Sequence, residues 1–90
     1  MAIGVYFHPG SMTAAQYDQI TAELDAAGEG RPAGRIVHCS FGPPDDLMIF
    51  DIWENQETFD QFGAALAPIL QKLELDAGKP DVMDIHHMIF

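Results

Sequence analysis

Basic residues are nearly missing from this chain: Arg31, Arg35, Lys72 and Lys79 are the only four, set against 14 Asp and Glu, for a formal net charge of -10. Phosphate backbones are held by clustered Lys and Arg, so nucleic acid is excluded as a partner. The same deficit argues against an anionic membrane surface. Cysteine is almost absent too: Cys39 stands alone, no internal disulfide can form, and the expectation is a cytoplasmic protein. No run approaches the roughly 20 apolar residues of a membrane span. The opening Met-Ala-Ile-Gly-Val-Tyr-Phe-His-Pro has neither the basic start nor the apolar stretch of a signal peptide. Cys-x-x-Cys, His-Glu-x-x-His and Gly-x-Ser-x-Gly are missing, so the expectation is no metal, no cofactor and no serine nucleophile. Gly28-x-Gly30 opens no helix, which excludes a phosphate loop.

What is present is the composition of an ordinary globular domain, 48% hydrophobic and 20% charged over 90 residues, and residues 1–90 are read as one domain. A chain of this size buries about 60–65% of its unfolded surface, enough for a small core. Ala2 to His8, rich in β-branched and aromatic residues and stopped by Pro9-Gly10, reads as a strand. Thr13-Ala14-Ala15-Gln16 fits a capping box. It opens a helix whose apolar positions Tyr17, Ile20, Leu24 and Ala27 recur at spacings of three and four, ended by Gly28 and Gly30.

A second strand is expected over Arg35 to Phe41 and a third over Leu47 to Trp53. The short Gly-Pro-Pro-Asp-Asp link implies an antiparallel hairpin. Asn55 caps the next helix, with Phe59, Phe62, Leu66, Ile69 and Leu73 as its stripe and Pro68 expected to kink or break it near Ala67, leaving two pieces. Gly78-Lys79-Pro80 turns into a last strand from Val82 to Phe90. The order βαββαβ is ferredoxin-like: an α+β fold with a four-stranded antiparallel sheet and two helices on one face.

Alternation along the strands suggests two residue sets. One holds Ile3, Val5, Phe7, Val37, Cys39, Phe41, Met48, Phe50, Ile52 and Met83, and in it Cys39 reads as a buried, inert thiol. The other mixes Tyr6, His8, His38, Ser40, Ile49, Asp51, Trp53, Asp84 and His86. Neither has the Thr, Lys and Glu of a solvated sheet face. Two helices cover one face only, so a homodimer through the other is expected.

The run Ile49-Phe50-Asp51-Ile52-Trp53-Glu54-Asn55-Gln56-Glu57-Thr58-Phe59-Asp60-Gln61-Phe62 resembles the strand, Trp, Glu, Asn and aromatic-anchored helix of the dimeric α/β-barrel superfamily. Within it the chain is most similar to the antibiotic-biosynthesis-monooxygenase-like proteins and their bacterial relatives. The strand entering Pro9-Gly10 and the ending Ile85-His86-His87-Met88-Ile89 are similar to the same group. The resemblance implies two ferredoxin-like units with sheets packed into a barrel, and a pocket between sheet and helices. Some such proteins oxidise quinol-like or polyketide-derived aromatics with oxygen and no metal or flavin. It also implies that Trp53 is a pocket aromatic and Asp51 the polar position two residues earlier, while Phe62 stands where many oxygenase-like relatives carry a histidine.

From the residues themselves, His38, Asp51 and His86, with His8 as a further candidate, are expected to converge on one face as a catalytic group. A carboxylate there orients an imidazole, the side chain that exchanges protons near neutral pH. The alternative is histidines that serve only the sheet or the interface. Trp53, Tyr6, Phe59 and Phe62, with Tyr17, are candidates to line a pocket for a flat ligand, the alternative being core packing. The resulting expectation is a homodimeric protein that binds an apolar, aromatic or polyketide-like small molecule as a cofactor-independent monooxygenase-like enzyme. A non-catalytic dimerisation or ligand-carrying module is the rival.

Overall fold

Six elements carry the chain in the computed structural model, which describes residues 1–90: β1 (Ile3–Phe7), α1 (Ala14–Ala26), β2 (Arg35–Phe41), β3 (Met48–Trp53), α2 (Gln56–Leu73) and β4 (Asp81–Asp84). The strands pair antiparallel in the order β2-β3-β1-β4, the ferredoxin-like arrangement. The capping box forms as the sequence implies: the Gln16 amide N–H donates to Thr13 Oγ1 at 3.1 Å, and the Thr13 amide donates to Gln16 Oε1 at 2.9 Å. Asn55 Oδ1 accepts from the Thr58 amide at 2.9 Å and caps α2. Both helices lie over the face that carries Ile3, Val5 and Trp53, and these pack with Ile20, Leu24 and Phe62 as the buried core. No helix is long and apolar enough to cross a membrane.

The sheet register corrects the expected grouping of faces. Val5 pairs with Asp51 and Phe7 with Ile49, so the odd residues of β1 share a face with Asp51 and Trp53, not with Phe50. Pairing register, not polarity, fixes which strand parities coincide. In β2 a bulge between Arg35 and Val37 sets two residues against Ile52, after which His38 lies opposite Asp51.

Three further expectations are overturned. The fourth strand ends at Asp84 instead of Phe90, because β1 begins at Ile3 and the Ile85 amide to Ala2 carbonyl bond, 2.9 Å, is the last along that edge. Helix α2 continues through Pro68 without a break. Pro68 and Ala64, whose carbonyl loses its partner, are both exposed, so the lost bond lies on the solvent side while Phe62, Leu66 and Leu70 hold the helix by packing. Cys39 is exposed, because the face it occupies is the one without helices.

That uncovered face carries Tyr6, Val37, Cys39, Phe41, Met48, Phe50, Ile52 and Met83, with Phe41 44% and Met83 67% exposed. Gly4 sits at its centre, where an added Cβ would meet Phe50 and Ile85 at 3.4 and 3.0 Å. The chain's accessible surface is 5706 Å², above the ~5,200 Å² of a compact monomer of this mass.

Candidate functional site

Between the sheet and both helices lies a cavity of about 260 Å³. Its floor is Phe7, Arg35, His38, Ile49 and Asp51; Tyr17, Ile20, Thr21 and Leu24 of α1 and Phe62, Leu66 and Leu70 of α2 form the walls. The walls are apolar because each helix turns its stripe inward, and the polar groups come from two adjacent strands and the first turn of α1.

Tyr17, His38 and Asp51 form a continuous chain of hydrogen bonds that ends on Trp53. Tyr17 Oη lies 2.6 Å from His38 Nε2, His38 Nδ1 lies 2.6 Å from Asp51 Oδ1, and Trp53 Nε1 donates to Asp51 Oδ2 at 3.2 Å. Asp51 is 3% exposed, and a buried carboxylate is tolerated only when paired and hydrogen-bonded. As an ionised acceptor it takes one donor on each oxygen. A neutral His38 with its proton on Nδ1 therefore satisfies every bond, and Nε2 accepts from the Tyr17 hydroxyl. The Tyr17 and His38 rings lie nearly parallel, 10° apart.

Chemically, this is a base held in one tautomer by a buried carboxylate, with a phenol in front of it. A proton arriving at Tyr17 Oη can be matched by transfer of the phenolic proton to His38 Nε2, and the imidazolium so formed stays paired with Asp51. Tyr17 and His38 both line the cavity, so the acceptor end of the relay faces its interior. No cluster of three or more His, Cys, Asp or Glu side chains is arranged to hold a metal ion.

The sequence-derived candidates separate into groups. His38 and Asp51 come together, in the cross-strand pair expected from the hairpin. Phe62 lines the cavity, but Trp53, with no exposed surface, lies behind it. Trp53 packs on Phe62 and Phe59 at ring distances of 5.2 and 5.7 Å and anchors Asp51. Phe59 packs between Phe7 and Trp53 and does not reach the cavity. Tyr6 lies on the uncovered face beside His8, ring centroids 6.4 Å apart. His8 pairs with Asp46 at 3.1 Å. His86 is exposed beyond β4 and does not join His38 and Asp51. The Tyr17 hydroxyl as partner of His38 was not foreseen; the available signal was a tyrosine on an otherwise apolar stripe, whose hydroxyl needs a partner once buried.

No family model and no curated protein matches this chain. Solved structures do. The cofactor-independent oxygenase SnoaB from Streptomyces nogalater superimposes with a TM-score of 0.66 at 15% identity, covering 98% of this chain and 95% of that one. A proposed antibiotic biosynthesis monooxygenase from Chloroflexus aurantiacus gives 0.69 at 13% identity over 100% and 98%. One from Deinococcus radiodurans gives 0.63 at 17% over 100% and 97%. The chain shares its ferredoxin-like fold with these proteins. At these identities the likeness is one of fold, and it agrees with the resemblance seen in the sequence around Trp53. What this scaffold does in this molecule is decided by the residues of its own cavity.

Proposed function

We propose that this chain is a cofactor-independent, monooxygenase-like enzyme that binds a flat aromatic or polyketide-like molecule in the cavity and takes a proton from its hydroxyl or acidic carbon through Tyr17 to His38. The observation that carries the reading is the unbroken Asp51–His38–Tyr17 chain opening into a mostly apolar cavity. At about 260 Å³ the cavity lies just under the ~300–1,000 Å³ of typical ligand sites, a size suited to a small fused-ring compound. SnoaB, a cofactor-independent oxygenase on the same fold, supports oxygen as the co-substrate. The carbanion left by proton removal is the electron-rich form of the molecule; for a methylene substrate, reaction with dioxygen places one oxygen atom in a new carbonyl and the other, with the two methylene hydrogens, in water.

The enzyme works as a cytoplasmic homodimer. The uncovered apolar face and the excess accessible surface support that pairing, and a specific pair buries about 1,200–2,000 Å² in total.

Anthrone, a methylene carbon acid with fused rings, tests the reading. Under anaerobic conditions in D₂O the protein should accelerate deuterium exchange at the methylene carbon, and Tyr17→Phe and His38→Ala should each lower that acceleration about 10²–10⁴-fold. With air admitted, oxygen uptake should follow the same order. Binding of anthrone without accelerated exchange would identify a ligand carrier instead.

A further inference from the structure

Arg35 is a charge that the proton relay does not use. Arg35 lines the cavity; its guanidinium carbon lies 5.7 Å from the centre of the Phe62 ring, and Nη2 donates to the Gly30 carbonyl at 3.0 Å. None of the three ion pairs in the molecule includes it. Asp25 is the one carboxylate lining that end of the cavity, and it is exposed and unpaired with Arg35. A guanidinium has five N–H donors in a fixed fork, and the carbonyl takes one. In a chain of net charge -10, a half-buried cation without a carboxylate is unusual. It sits three residues from His38 on β2, within about 10 Å along the strand, with the apolar part of the cavity between them.

We infer that Arg35 is an anion receptor at the end of the cavity away from Tyr17 and His38, and that the substrate is an aromatic molecule carrying a carboxylate or a comparably placed oxyanion as well as the proton to be removed. The inference rests on the reading of the cavity as a ligand site. Arg35 grips the anionic group in a charge-assisted, forked hydrogen bond, Phe62 supports the guanidinium from below, and the ring system spans the apolar middle. The acidic hydroxyl or carbon is thereby delivered to Tyr17. Arg35 sets which molecules bind and which end reaches the relay. The bulge between Arg35 and Val37 keeps both Arg35 and His38 on the helix-covered face despite their odd spacing, which strict alternation would have divided.

Two probes of one ring system test this: 1-naphthol, and 5-hydroxy-2-naphthoate, which adds the carboxylate on the ring away from the hydroxyl. Isothermal titration should give the carboxylate probe at least about a tenfold tighter dissociation constant, a factor worth about 1.4 kcal/mol. That advantage should shrink as sodium chloride is raised. In Arg35→Gln the ratio of the two constants should collapse to about one, and Arg35→Lys, which keeps the charge but not the fork, should restore part of it. If 1-naphthol binds and the carboxylate confers no advantage, or if Arg35→Gln leaves the ratio intact, the anion receptor is overturned while the ligand cavity stands. If neither probe binds, both readings fall.

Discussion

Replacing Asp51 separates what its oxygens do for stability from what they do for the relay. In Asp51→Ala the Trp53 indole N–H, on a residue with no exposed surface, loses its acceptor, and a buried unsatisfied donor costs about 1–3 kcal/mol. His38 Nδ1–H loses its acceptor as well, but that side chain is 26% exposed and water can serve it, so its share falls at the low end. Together the expected loss is roughly 2–4 kcal/mol. In Asp51→Asn the amide oxygen can keep the Trp53 bond and the buried charge disappears, so the cost should stay below about 1.5 kcal/mol. The amide nitrogen then faces His38 Nδ1 and donates to it. The histidine must carry its proton on Nε2, which turns the Tyr17 bond around and removes the base. Urea unfolding at one fixed protein concentration measures the stability order. Long-range proton–nitrogen correlation on histidine-labelled protein reads the tautomer, with exposed His8, His86 and His87 as internal references. Equal destabilisation by Ala and Asn, or a neutral His38 still protonated on Nδ1 in Asp51→Asn, would refute the hydrogen-bond assignment.

Other perturbations follow from single positions. Pro68→Ala restores a donor inside α2 and should stabilise the fold by about 1–3 kcal/mol in the same unfolding assay. Gly34→Ala should destabilise by more than about 1 kcal/mol, since φ is 87° there and an added Cβ would stand 2.5 Å from Thr58 Cβ. Phe50→Asp places a charge at the centre of the uncovered sheet face. Sedimentation equilibrium should then return the 9.9 kDa monomer where the parent gives twice that mass; a parent that is already monomeric contradicts the proposed pairing.

The architecture was legible because each local signal agreed with the global one: the Thr13 capping box, the Asn55 cap and the Pro-Gly punctuation marked the same boundaries that tertiary packing enforces. The cross-strand meeting of His38 with Asp51 could be read as well, since a short hairpin link leaves few registers. What could not be read depends on contacts between elements. Which parity of β1 faces the helices is set by Val5 lying opposite Asp51, and no feature within either strand encodes that pairing. Ending β4 at Asp84 depends on where β1 starts, although Val82 to Phe90 has strand composition throughout. Trp53 was expected at a ligand and lies one layer behind, because its indole N–H serves Asp51. Tyr17 was among the expected pocket aromatics, but its hydroxyl bond to His38 joins α1 to β2, a contact that helical periodicity alone cannot supply. Arg35 gave no local signal beyond being one of four cations.

The proposed function requires first that a ligand bind in the cavity beneath the helices, with the Tyr17–His38–Asp51 relay at its edge. Titration of uniformly nitrogen-labelled protein with 1-naphthol, followed by backbone and histidine side-chain resonances, tests it directly. Saturable shifts are expected at the His38 ring nitrogens and at the amides of cavity residues such as Ile20 and Leu66, with those of Cys39 and Phe50 on the uncovered face unmoved. Shifts confined to the uncovered face or to residues 85–90, with the His38 ring unaffected at saturation, would contradict it.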